Sequence, residues 1–334
     1  MGFSLSALRR LRGVRLPSAP APVASSGAHV STAELAGLEH AARDFSFLAH
    51  QPVHSLLAGR RGSRVRGRGL AFEELRQYVP GDDIRTMDWR VTARTGKPHV
   101  RVFTEEKDRP ALFVVDQRLN MFFGTRRAMK SVVAAEIAAL GAWRMLGQGD
   151  RVGGFVFDDE QIAELRPYRS RAAVMRLLET VATRNAALRA DAPGRRNPAQ
   201  LDAVLDATAR VATHDHLVVV ASDLDGAGDR TRDLLRRLAR HNDVVVALVY
   251  DPFLLSLPRS TDLVVSDGEL QVELTVGNAT VRKGIAGFVS ARARTILGWP
   301  QELGVPVLPI SAGEETAPQL RKLLGQTSPA PRGR

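Results

Sequence analysis

The sequence has no cysteine among its 334 residues. Disulfides, thiolate metal centres and a cysteine nucleophile are therefore excluded, and the composition fits a reducing compartment. No apolar run approaches the ~18 residues that a membrane span needs. The opening MGFSLSALRRLRGVRLPSAPAP puts its positive charges after the apolar residues and has no adequate hydrophobic segment, so it makes a poor secretory signal. It matches a Met-Gly-x-x-x-Ser acylation pattern through Gly2 and Ser6, a pattern short enough to arise by chance. No Gly-x-x-x-x-Gly-Lys-Ser/Thr loop and no Gly-x-Ser-x-Gly elbow occurs, so neither nucleotide hydrolysis nor a serine-hydrolase mechanism is expected.

Acidic residues are also in deficit, 36 against 47 Lys and Arg, for a net charge of +11. The excess is uneven and peaks in GRRGSRVRGRG, where Arg60, Arg61, Arg64, Arg66 and Arg68 crowd together. Such a patch could hold nucleic acid or an acidic protein surface, or form a solvated basic hairpin. It lacks the interleaved aromatics that stack on bases, so nucleic acid is an alternative and not the expected partner.

With 44% hydrophobic and 25% charged residues, the chain reads as an ordinary globular protein of about two domains. Residues 1–30 end in a stretch rich in Pro, Ala and Ser and read as a tail. Residues 31–54 read as a helix opened by Ser31 and Glu34, with Leu35, Leu38, Ala42, Phe45 and Leu48 at helical spacing. Residues 55–110 carry short apolar pieces, many glycines and a Pro80-Gly81 turn, the texture of a small β-rich subdomain. Alternation there puts Asp83 with Arg85 on one face and Asp88 with Arg90 on one face, with Trp89 opposite and buried. Charges in this arrangement suit an ion-pair lattice or a partner-facing surface, since no nucleophile or histidine accompanies them.

Residues 111–325 differ again. ALFVV, RVGGFVF, LVVVAS, VVVALVY and VPVLPI are continuous apolar strands of the kind buried on both faces of a parallel sheet. Helical patterns lie between them at 125–146, 171–184, 199–212, 228–240, 279–296 and 315–325. This is a doubly wound α/β domain, followed by a tail at 326–334. Ligands of such sheets bind beyond the strands' carboxyl ends, and Asp116, Asp223 and Asp251 each stand at one.

FEELRQYVPGDDIRTMDWRVTARTGKPHVRVFTEEKDRPALFVVD resembles the signature of the domain of unknown function 58 family. The residues that carry the likeness are Glu74, Arg76, Tyr78, Gly81, Asp82, Arg85, Asp88, Trp89, Ala93, Arg94, Gly96 and Glu105. The resemblance implies a von Willebrand factor A-like domain and action beside a MoxR-type AAA+ ATPase on an unknown client protein. It implies an adaptor in the assembly or maturation of other proteins, and with the residue reading above the expectation is a non-enzymatic cytoplasmic module without a membrane span.

Von Willebrand factor A domains hold Mg²⁺ through an Asp-x-Ser-x-Ser loop, a threonine and a second aspartate. By this resemblance Asp116 and Asp223 match the two aspartates, Arg118 and Asn120 fall on the serines, and the threonine loop offers only Asn197. Magnesium wants about six oxygens, so no cofactor is expected. Two carboxylates close together repel unless a cation lies between them, and a permanently charged guanidinium can be that cation. Arg118 is therefore expected to bridge Asp116 and Asp223. Two alternatives remain: Arg118 faces solvent beside a vestigial site, or Asp116, Asn120 and Asp223 still hold Mg²⁺ in an adhesion module.

Overall fold

The computed structural model describes residues 27–44, 70–80, 82–105, 109–189, 196–255, 262–266, 271–275 and 292–324. The basic patch Arg60–Arg68, Gly81 and both expected tails lie outside them, apart from residues 27–30. Ser31 and Glu34 form a reciprocal capping box that starts helix α1 (Thr32–Gly37), and a short 3₁₀ turn follows at Ala41–Asp44.

Strands β1 (Leu70–Gln77) and β2 (His99–Glu105) pair antiparallel around an insert that contains helix α2 (Trp89–Thr95). The helix corrects the strand alternation expected at 88–90. Asp88 is its N-cap, accepting from the Arg90 and Val91 amides, and Gly96 ends it in the left-handed conformation (φ 68°). Trp89 is consequently 66% exposed and not buried.

The main sheet continues with β3 (Ala111–Asp116), helix α3 (Lys130–Gly147) and β4 (Val152–Phe157). Next come β5 (Ile162–Tyr168), α4 (Arg171–Ala187), α5 (Gln200–Val211), β6 (Leu217–Ser222), α6 (Asp229–Ala239) and β7 (Asp243–Tyr250). A hairpin of β8 (Asp262–Ser266) and β9 (Gln271–Thr275) precedes helix α7 (Trp299–Leu303), β10 (Val307–Ser311) and helix α8 (Thr316–Leu324). The six-stranded order is β10-β7-β6-β3-β4-β5, parallel throughout except for edge strand β5. This is the expected mostly parallel α/β sheet covered on both faces by helices. Among the described residues no helix is long and apolar enough to cross a membrane.

All five apolar runs became strands, four of them buried on both sides and edge strand β10 burying Leu308 and Ile310 while Val307 and Pro309 stay half-buried. Phe113, Val115, Val219, Ala221, Ala247 and Val249 face the layer built with α1, α3 and α4. Their alternates Leu112, Val114, Val218, Val220, Val246 and Leu248 face the layer with α5, α6 and α7. Strand β5 escaped the sequence reading because it alternates half-buried and exposed positions and carries Glu164, Arg166 and Pro167. The β8–β9 hairpin was likewise not expected. Helix α3 starts at Lys130, not Thr125, because the Thr125 amide and hydroxyl are taken by the Asp251 carboxylate at 2.8 and 2.7 Å. Of the helix expected at 279–296, residues 292–297 are helical and 279–291 lie outside the described residues.

Gly154 in β4 lets the neighbouring strand approach closely: a Cβ there would meet the Phe113 carbonyl oxygen at 2.1 Å. Gly147, at the exposed end of α3, has nothing within 4 Å of a Cβ. Gly154→Ala should therefore destabilise by about 1–3 kcal/mol or more. Gly147→Ala should be neutral or stabilising by up to about 1 kcal/mol. Urea unfolding of both variants checks this pair, and equal effects would contradict the packing described.

Candidate functional site

The strand order reverses between β3 and β6, since the chain leaves β3 for β4 on one side and returns to β6 on the other. Asp116 ends β3 and Asp223 directly follows β6, so the topology brings both carboxylates to the switch point where such sheets bind ligands.

Arg118 sits there, fully buried. Its Nε donates to Asp116 Oδ1 at 3.0 Å and its Nη2 to Asp116 Oδ2 at 2.7 Å, a two-pronged fork on one carboxylate. The Arg118 backbone amide adds a third bond to Oδ1, and the Ser222 hydroxyl donates to Oδ2 at 2.6 Å. The remaining prong, Nη1, donates to the Asp225 carbonyl at 3.0 Å and the Pro198 carbonyl at 3.4 Å. The guanidinium also lies 5.3 Å from the Phe157 ring centroid. A solvent-facing Arg118 is thus ruled out; of the two carboxylates it hydrogen-bonds Asp116 alone, and the expected bridge to Asp223 is reduced to an attraction of charge.

A second cation pairs with Asp223. Lys130 Nζ, at the first position of α3, donates to Asp223 Oδ2 at 2.5 Å. Asn120 Nδ2 and the Asp225 amide donate to Asp223 Oδ1 at 2.8 and 2.9 Å. Lys130 was not anticipated, because the helical pattern read from Thr125 places it inside the helix and not at its start. A lysine at a helix N-terminus opposes the helix dipole, so the Asp223 carboxylate and not the helix accounts for its charge there.

Magnesium would need several free oxygens. Both oxygens of Asp116 and of Asp223 already accept hydrogen bonds from this chain, and Asn120 turns its amide nitrogen toward Asp223. The arrangement therefore does not fit a divalent ion. Among the described residues no group of three or more His, Asp or Glu side chains is placed to hold a metal.

Loops around the pair extend the network. Asp225 is clamped by Arg196 and Arg292 at 2.7 and 3.0 Å, beside Leu224, a buried non-glycine residue at φ 59°. Asp159 accepts from the Leu119 and Asn197 amides, so the loop expected to carry a threonine contributes backbone groups instead. Gln117 points to the other face, donating to the Ser131 carbonyl and accepting from Asn185, whose Oδ1 accepts from the Val30 amide. Asp251, the third strand-end aspartate, holds the Thr125 loop and stays apart from the pair.

The signature residues gather on the β1–β2 unit. Glu74 lies in β1 opposite Val102, and Tyr78 donates its amide to the Pro98 carbonyl. Arg76 forks onto Asp82 at 2.8 and 2.7 Å, Asp83 accepts from the Arg85 amide, and Arg101 grips Asp88 at 2.8 Å. Arg76 and the Val79 amide hold the Asp82 carboxyl below its usual range. The Val91 amide and Arg101 do the same for Asp88. Trp89, Arg85, Arg90 and Arg94 are exposed.

The two buried carboxylates differ electrostatically. Burial pushes the Asp116 carboxyl up, against the pull of Arg118 and Ser222. Burial also acts on Asp223, but the charge and hydrogen bond of Lys130 outweigh it and hold that carboxyl at about 2. Burial depresses the Arg118 guanidinium, yet Asp116 beside it raises it above its ordinary value.

A folded-state pKa below the unfolded value of about 3.9 stabilises above pH ~4, and that stability is lost as pH falls through about 2. Lys130→Met should therefore lower stability most at neutral pH and less near pH 4, as the unpaired Asp223 takes up a proton. Urea melts at both pH values, with an NMR titration of Asp223 rising above 4, check this. Arg118→Ala should cost about 3–5 kcal/mol at neutral pH, because it strands a buried carboxylate. Arg176→Ala, on the exposed face of α4, should stay within about 0.5 kcal/mol. Equal melting of these two arginine variants would contradict the ion pair.

The model of the family described as "Protein of unknown function DUF58" matches residues 74–294. Uncharacterized proteins of Mycobacterium bovis and Mycobacterium tuberculosis are 31% identical over 280 residues, covering 81% of this chain and 84% of theirs. Among solved structures, the conserved hypothetical protein BatB of Bacteroides thetaiotaomicron aligns at 11% identity and TM-score 0.37, over 64% of this chain and 98% of that one. An aerotolerance-related membrane protein of Bacteroides fragilis aligns at 12% identity and TM-score 0.39, over 65% and 96%. With the signature stretch from Glu74 onward and five of the six strands of the main sheet (β3 to β7) inside the matched region, this chain belongs to the DUF58 family.

Proposed function

We propose that this chain is a non-enzymatic, cytoplasmic protein-binding module. It acts as an adaptor with a MoxR-type AAA+ ATPase in the assembly or maturation of other proteins. The observation that carries this reading is the internal neutralisation of the switch point. Asp116 is occupied by Arg118 and Ser222, and Asp223 by Lys130 and Asn120. We read this as a von Willebrand factor A-like metal site in which two side-chain cations have taken over the charge of the ion. Ser222, the hydroxyl bonded to the switch-point carboxylate, is fully buried and spent between Asp116 and the Leu224 amide, which disfavours a nucleophilic role. An end of the sheet closed in this way supports a role in presenting surfaces to proteins.

The test is reconstitution with a MoxR-type ATPase from the same genome, by size exclusion and ATPase assay in ADP and in a non-hydrolysable ATP analogue. Nucleotide-dependent co-elution with an altered hydrolysis rate is expected. Separate elution at tens of micromolar in both nucleotide states would overturn the adaptor reading.

A calorimetric titration of the chain with Mg²⁺ should show no saturable heat. Arg118→Ser with Asn120→Ser restores hydroxyls at those positions and should make the melt respond to Mg²⁺. A micromolar isotherm on the parent chain, abolished by Asp223→Ala, would instead favour the Mg²⁺-dependent adhesion module.

A further inference from the structure

Four of the six large apolar side chains exposed among the described residues fall within the short stretch 75–89: Leu75, Val79, Ile84 and Trp89. Ile84 and Trp89 are 60% and 66% exposed. Apolar residues gathered like this on a surface mark a contact site.

The unit that carries them is stiffened, not frayed. Asp88 caps α2 and is gripped by Arg101, while the Thr92 hydroxyl accepts from the His99 amide. Helix and strand are thus joined at two points, so Trp89 is held outward in a defined position.

The charges around it are one-sided. Asp82 and Asp88 are neutralised within the unit by Arg76 and Arg101, which leaves exposed Asp83, bonded to the Arg85 amide, as the one acidic side chain against four exposed basic ones. Arg85, Arg90, Arg94 and Lys97 are exposed, and none of them pairs with a described carboxylate. Arg90 and Arg94 stand four apart on a seven-residue helix. Like charges at that spacing destabilise a helix, and one this short has little stability to lose. An external negative partner would relieve that repulsion.

We propose that α2 and the preceding turn form a docking surface for an acidic protein segment. Trp89 and Ile84 fill an apolar groove of the partner, and Arg85, Arg90 and Arg94 pair with its carboxylates. Trp and Arg dominate protein interfaces in this combination. A protein fits better than a nucleic acid, because Trp89 is the one exposed aromatic ring in the stretch and its neighbours are aliphatic, which do not stack on bases. This surface rests on the adaptor reading and gives it a place and a partner chemistry.

Trp143 and Trp299 are buried, so Trp89 reports its own surroundings by fluorescence. The probe is a synthetic amphipathic peptide with leucines on one face and glutamates on the other. It is compared with its lysine counterpart, an all-polar glutamate peptide and a DNA duplex. The acidic amphipathic peptide should shift Trp89 emission saturably. Its affinity should fall at least tenfold in Arg90→Glu with Arg94→Glu, and the signal should vanish in Trp89→Ala, with each variant melting like the parent chain.

No saturable shift, equal binding of the lysine peptide, or undiminished binding by the charge-reversed variant would overturn the proposal. Tighter binding of DNA would replace it with a nucleic-acid surface. If the peptide fails while the ATPase complex still forms and survives the charge reversal, this surface is wrong and the adaptor reading stands. If the peptide binds and no ATPase complex forms, the reverse holds.

Discussion

The fork of Arg118 on Asp116 is the interaction on which the rest of the switch point depends. Both groups are fully buried, and a charge taken out of water into a protein interior costs several kcal/mol unless it is paired and hydrogen-bonded. Here every oxygen of the carboxylate is engaged. The last guanidinium prong is used to hold the carbonyls of Pro198 and Asp225, one on the loop before α5 and one on the loop after β6. Three segments that meet at the end of the sheet are thereby tied to a single cation.

The second pair follows from the first. With Arg118 committed to Asp116, Asp223 needs its own cation, and Lys130 supplies it from the start of α3. That helix begins where it does because Asp251 holds Thr125 in the loop. Asn185 links Gln117, between the paired residues Asp116 and Arg118, to the backbone of Val30. The N-terminal segment, the first loop and the central helix therefore share one polar framework beneath the surface. The α2 unit stands on separate ion pairs, Arg76 with Asp82 and Arg101 with Asp88, and offers its apolar and basic side chains outward.

Much of this was legible in the chain. Continuous apolar runs between helical patterns imply a parallel sheet, because only strands buried on both faces tolerate them. Strand-end position marked Asp116, Asp223 and Asp251, and the family resemblance picked out the first two. Lys130 was hidden because its role depends on where α3 starts, and a long-range contact from Asp251 decides that. Arg118 was read as a bridge because charge balance shows that a cation is needed without saying how many. Trp89 was misplaced because Asp88 and Gly96 are the two caps of a short helix, yet the stretch between them also fits strand alternation. Capping chemistry overrode the period of two.

The central claim is that Arg118 and Asp116 neutralise one another inside the fold, and a double-mutant cycle measures it most directly. Arg118→Met and Asp116→Asn, alone and together, would be unfolded in urea at neutral pH. Each single change removes one charge and strands the other, so mutual neutralisation requires the double variant to be far more stable than the sum of the two losses allows, with a coupling on the order of 2–3 kcal/mol or more. Simple additivity of the two losses would contradict it and leave the two residues as independent occupants of the same end of the sheet.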